Sequence, residues 1–157
     1  MRRVYRRLID MAGALRQNDG FSLMELMIAI TIMSILSIFA FQSYQGITQK
    51  AKTAKTKQIL STLSTTLDRY NLDNGMYPST EQGLQALLEE PTTEPLPDNY
   101  NPGGYIRGGK VPKDGWGNDI YYANPGADGN DYDLKSYGAD KKEGGEGYDA
   151  DISVWDN

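Results

Sequence analysis

Five carboxylates fall within the segment YGADKKEGGEGYDAD, Tyr137–Asp151: Asp140, Glu143, Glu146, Asp149 and Asp151. Hard oxygen donors on a glycine-rich loop suit a cation of loose geometry, calcium above all, which takes about six to eight oxygens from carboxylates and backbone carbonyls. No EF-hand register fits the segment. Composition alone favours the plainer reading, a solvated acidic tail. Against it, the apolar residues Ile152, Val154 and Trp155 follow directly and look made to pack, so the loop before them must close and hold its charges together. A bound cation would ease that closure. A second candidate is Glu25, the single charge in the apolar run Phe21–Phe41. A third, GYIRGGK over Gly104–Lys110, nearly spells a phosphate-binding loop. It fails because Val111 stands where a hydroxyl must meet magnesium and Pro112 where a helix must begin.

The elements that must carry these residues follow from patterning. At ~1.5 Å per residue the run Phe21–Phe41 spans the roughly 30 Å hydrocarbon core of a bilayer as one helix. Four arginines lie in the first seven residues and no Lys or Arg follows the run until Lys50, which predicts a cytoplasmic N-terminus and a translocated body. No cleavage site for an ordinary secretory signal follows Phe41; the small residue, Gly20, precedes the run instead. Apolar residues then recur at helical steps, Ile47, Ala51 and Ala54, then Leu60, Leu63, Leu67 and Tyr70, up to a stop at Asn74-Gly75. One helix from about Ser22 to about Asp73 would be a rod of roughly 75–80 Å, too long for a small domain to bury. Its first half needs lipid or other copies of itself. Its second half is the spine of a soluble head.

Within the head, Ser79-x-x-Gln82 resembles a capping box, and Leu84, Leu87 and Leu88 predict a short helix before Pro91. Residues 91–112 are dense in proline and glycine and predict an irregular connection with at most a brief strand at Tyr105–Ile106. Asp119–Ala123 and Tyr132–Ser136, joined by NPGADGN, predict an antiparallel hairpin. The fold expected is α+β: a long N-terminal helix, membrane-spanning then amphipathic, on a small antiparallel sheet with a C-terminal acidic loop. It divides into a leader at 1–20, an apolar helix at 21–44 and a head at 45–157, whose helix covers 45–74 and whose loops and sheet cover 75–157.

Composition narrows the chemistry. The 157 residues include no cysteine and no histidine, which removes disulfides, thiol and Ser-His nucleophiles and the usual zinc ligands. Residues 1–20 carry five Arg against Asp10 and Asp19, so a net charge of −5 overall leaves −8 on residues 21–157. An acidic body without basic clusters is a poor nucleic-acid binder. Glu25 acquires a purpose if the chain is cut after Gly20. The new α-amino group of Phe21 and the Glu25 carboxylate, each costly to bury alone, can then neutralise one another across stacked copies. A charge pair of this kind rewards correct register and penalises misregister. A carboxylate snorkelling at the edge of a plain anchor is the simpler alternative.

The stretch GFSLMELMIAITIMSIL, Gly20–Leu36, resembles the class III signal of type IV pilin-like proteins, with Gly20 before the cut, Phe21 as the methylated residue and Glu25 as the fifth-position glutamate. Farther on, DNGMYPSTEQGLQALL (Asp73–Leu88), GGYIRGGKVPKDGWGNDIYY (Gly103–Tyr122) and SYGADKKEGGEGYDADISVW (Ser136–Trp155) resemble the major pseudopilins of type II secretion systems. This resemblance implies a non-enzymatic inner-membrane precursor, single-pass with its head in the periplasm. A prepilin peptidase would process it, and it would polymerise with itself and with minor pseudopilins on an inner-membrane platform. The resulting periplasmic filament would drive folded proteins through the outer membrane. The resemblance also implies calcium in the acidic loop, held by the carboxylates of Asp140, Asp149 and Asp151 and the backbone carbonyl of Tyr137. The chain departs from the family at Gln42 and Ser34, where relatives commonly have proline and glycine, and at Gly115 in the turn Asp114–Gly117. The alternatives are a true type IV pilin, which the missing cysteines weigh against, and a membrane-tethered calcium-dependent binding module.

Overall fold

The computed structural model describes residues 20–156, so the basic leader, up to Asp19, lies outside the described residues. The chain divides into two compact units that meet between Tyr44 and Gln45. One helix, α1, covers Leu23–Asn74 and takes in Gln42 and Gly46 without a break in its assignment. The stop at Asn74-Gly75 forms as expected, with Gly75 N donating to Asn71 O at 2.7 Å.

In the first unit α1 is apolar on every side, and its large side chains are at least half exposed, from Leu23 at 81% to Ile35 at 51%. A helix of that kind is stable only in lipid or among other helices. It is long and apolar enough to cross a membrane. Its hydroxyls do not oppose that setting. Thr31, Ser34 and Ser37 each donate to the carbonyl four residues back, Met27, Ile30 and Met33, at 2.7 Å. Each polar group is therefore satisfied within its own helix.

In the second unit α1 presents a buried stripe, Thr56, Leu60, Leu63, Leu67, Tyr70 and Asn74, at alternating steps of four and three. The expected beginning of this stripe is corrected: Ile47, Ala51 and Ala54 are exposed. Polar residues continue it instead. Gln49 and Thr56 receive hydrogen bonds from Trp116 Nε1 at 2.8 Å and Gly115 N at 2.9 Å, so the turn Asp114–Gly117 docks there by polar contacts that a hydrophobic pattern does not register.

The stripe packs against a three-stranded antiparallel sheet in the order β1 (Tyr121–Ala123), β2 (Asp133–Ser136), β3 (Ile152–Ser153). The predicted hairpin is present with shorter strands, Tyr122 facing Leu134 and Tyr121 facing Lys135. Alternation sends Tyr122, Leu134 and Ile152 into the core with Tyr132, Leu84 and Leu87. The segment after the acidic loop packs in part as its residues suggested: Ile152 is buried and Val154 packs against the core, while Trp155 is 43% exposed, with its Nε1 donating to Tyr132 O at 2.8 Å.

One local expectation changes. The capping-box bonds form, Ser79 N to Gln82 Oε1 at 2.9 Å and Gln82 N to Ser79 Oγ at 3.2 Å. They close a turn, however, and Gly83 at φ +58° bars its continuation as an α-helix. A 3₁₀ turn, Gly83–Leu87, follows. Tyr105–Ile106 is not a strand, because both amides donate to the one carbonyl of Leu87, at 2.7 and 3.1 Å, and no ladder can grow from a single acceptor.

Candidate functional site

The first unit and the acidic loop of the second carry the candidate residues. Gly20, Phe21 and Ser22 precede α1 without helical structure, and Phe21 is 78% exposed. Ser22 caps the helix: Glu25 N donates to Ser22 Oγ at 3.1 Å and to Ser22 O at 3.0 Å. Ser22-x-x-Glu25 is therefore an N-cap followed by an acid in the first turn, where the helix dipole favours negative charge by about 0.3–1 kcal/mol at an exposed site. This local role of Glu25 escaped the sequence reading, although S-x-x-E ahead of an apolar run is its usual signal.

The acidic loop is closed. Ala139 N donates to Tyr148 O at 3.0 Å across its neck, and Asp149 N to Glu146 O at 3.2 Å within it. Gly138, at φ +66°, lets the returning chain come so near that a Cβ there would stand 2.8 Å from Asp149 O. Of the four expected calcium ligands, Asp140 and Asp149 are exposed, while Asp151 and Tyr137 are half-buried. Asp140 Oδ1 accepts from Lys142 N at 3.0 Å and Asp151 Oδ1 from Gly144 N at 3.1 Å. Closure thus puts the loop's entry beside Asp149, but it does not by itself gather the carboxylates. Among the described residues no three acidic side chains stand close enough together to hold a metal ion. The donor set fits a hard cation in kind, all oxygen and partly solvent-facing, and a cation would have to draw the side chains inward.

Beneath the loop lies a residue that sequence reasoning missed. Asp114 is 2% exposed, and its Oδ1 accepts from Trp116 N at 2.9 Å and Asn118 N at 2.7 Å while Oδ2 accepts from Ser136 Oγ at 2.7 Å. Ser136 Oγ in turn accepts from Gly138 N at 3.2 Å, and Asn118 Nδ2 donates to Gly138 O at 2.8 Å. One buried carboxylate therefore links the turn docked on α1 to the first residues of the acidic loop. The near phosphate loop at Gly104–Lys110 runs into residues without helical structure, so no helix N-terminus faces an anion there.

Residues 43–155 match the family described as type II secretion system (T2SS), protein G, and residues 15–41 match the prokaryotic N-terminal methylation motif. The chain is 44% identical over 142 residues to type II secretion system core protein G of Pseudomonas aeruginosa, covering 90% of this chain and 98% of that one. It is 44% identical over 141 residues to the protein of the same name from Vibrio cholerae, covering 90% and 94%. In structure it is similar to the crystallised major pseudopilin from the type 2 secretion system of enterohaemorrhagic Escherichia coli. That likeness has a TM-score of 0.61 at 44% identity, over 71% of this chain and 92% of that one.

Proposed function

The chain belongs to the type II secretion system protein G family and is a structural subunit of the type II secretion pseudopilus; from that premise we propose how it is processed, where it works and what it binds. A prepilin peptidase removes residues 1–20 and Phe21 is N-methylated. The subunit waits in the bacterial inner membrane, N-terminus cytoplasmic and head periplasmic. It then polymerises, with minor pseudopilins and on an inner-membrane platform, into a filament that drives folded proteins out through the outer membrane. The observation that carries this reading is the helix of the first unit, whose large apolar side chains stand exposed among the described residues, on a chain whose residues 43–155 match the family.

Glu25 directs the assembly. In the cut subunit the Phe21 ammonium sits at the positive end of a helix dipole, an unfavourable place for a cation, and four residues from Glu25. Pairing with a carboxylate of the neighbouring copy relieves both charges when they leave water.

Calcium is held in the acidic loop by Asp140, Asp149, Asp151 and the carbonyl of Tyr137. It would offset the mutual repulsion of the loop carboxylates and stabilise the head by mass action, since it binds only the folded loop. The hydrogen-bonded neck at Ala139 and Tyr148 supports this assignment.

Isolating filaments from the cell envelope of bacteria that overproduce the chain, and weighing the subunit intact, tests the proposal. The expected mass is that of residues 21–157 plus one methyl group, and Glu25→Gln leaves the subunit in the membrane with filaments lost. Filaments built from uncut chains, or normal filaments from Glu25→Gln at normal subunit levels, would sink it.

A further inference from the structure

On the sheet face turned away from the core, Lys135 of β2 stands opposite Tyr121 of β1, and Tyr137, two residues on, lies on the same side. The Lys135 ammonium is 5.2 Å from the centre of the Tyr121 ring and 5.3 Å from that of Tyr137. The two rings are 5.5 Å apart and tilted at 49°, so they form two walls of a cage. Glu143 Oε1 closes it at 3.4 Å. An ion pair to so exposed a carboxylate, 77% open to solvent, contributes little alone. The Lys135 side chain is different: it is only 22% exposed, and an ammonium partly desolvated against two aromatic faces is held more firmly.

We propose that Lys135 is a positioning residue that clamps the acidic loop to the sheet, gripping the loop's entry through the Tyr137 ring and its middle through Glu143, so that the loop is closed before any cation arrives. The loop's problem is electrostatic. Five carboxylates in fifteen residues repel one another in the absence of a cation, and a fixed positive charge from the neighbouring strand counters that repulsion without a diffusible ion. Lys135 thus pre-arranges the loop at Tyr137, itself a proposed ligand through its carbonyl, without contacting the ion.

Hydrogen exchange on the full-length mature chain in detergent micelles, with calcium removed, decides the matter. Lys135→Met is expected to speed exchange across residues 138–150 by about fivefold while the core amides of Tyr122 and Leu134 keep their protection. Lys135→Arg should stay close to the parent, because a guanidinium also stacks on aromatic rings and pairs with carboxylates. Unchanged exchange in Lys135→Met, or equal loss of protection in the core, overturns the clamp. A second arm rests on the calcium assignment: in a calorimetric titration with calcium, Lys135→Met should bind roughly threefold to tenfold more weakly, as expected when an ordering cost moves to the binding step. Equal or tighter binding contradicts pre-arrangement. A parent chain that takes up no calcium removes the calcium assignment and leaves the exchange comparison to judge the clamp.

Discussion

Asp114 shows what a single residue can hold together. Its carboxylate takes three hydrogen bonds while 2% exposed, and Asp114→Ala would leave Trp116 N, Asn118 N and the Ser136 hydroxyl without their acceptor. Each stranded donor costs about 1–3 kcal/mol, so the variant is expected to lose about 3 kcal/mol or more in urea unfolding; a loss below about 1 kcal/mol would contradict the network. Glu25 and the loop carboxylates stand out in the sequence as candidates because each breaks its surroundings, one charge among apolar residues or several among glycines. Asp114 does not, because it is bound by Ser136 and its turn is docked through Gly115 on Thr56, both far away along the chain. Only the short-range part of its role, the turn over Asp114–Asn118, was within reach of local pattern.

At the scale of elements, helical periodicity located α1 and its stop at Asn74-Gly75, and turn chemistry located the hairpin of β1 and β2. What escaped was polar packing. The stripe of α1 continues through Thr56 and Gln49 because the turn at Gly115 approaches the helix backbone so closely that a Cβ on Gly115 would fall on the Lys52 carbonyl. Here a glycine permits the contact. Gly115→Ala is accordingly expected to push the turn off α1, break the Trp116–Gln49 hydrogen bond and cost about 1–3 kcal/mol. Tryptophan emission and the melting midpoint report both effects. A variant with the parent's emission and midpoint would show that the turn tolerates a side chain there. The connection around Tyr105–Ile106 stays irregular, within what its proline and glycine density allows: β-forming residues make a strand only where a ladder of partners exists, and Leu87 offers one carbonyl.

For the molecule as a whole, the head's core is built from tyrosines as well as leucines. Burial, reinforced by the hydrogen bond to Asp68, lifts Tyr77 to about 12, and burial with the fields of Tyr105 and Tyr70 lifts Tyr100 to about 12. Tyr70, Tyr122 and Tyr132 are raised as well, burial being the largest cause in each. A tyrosine raised in the folded state favours folding fully below its unfolded pKa of about 10, and that contribution is lost as the pH climbs through the folded value. The chain has no histidine to titrate near neutrality. The melting midpoint should therefore hold steady across the neutral range and fall between about pH 10 and 12. A midpoint unchanged up to pH 12 would contradict the burial of these rings.

The same molecule joins this head to an apolar helix whose large side chains no described residue of the first unit covers. That combination suits a subunit stored in a membrane and drawn into a filament. Deleting the gene, restoring it in trans and comparing culture-supernatant proteins and surface pili tests this account most directly. It predicts folded exoproteins stranded in the periplasm of the deleted strain, pili unchanged, and export restored by the returned gene; intact export with pili lost would contradict it.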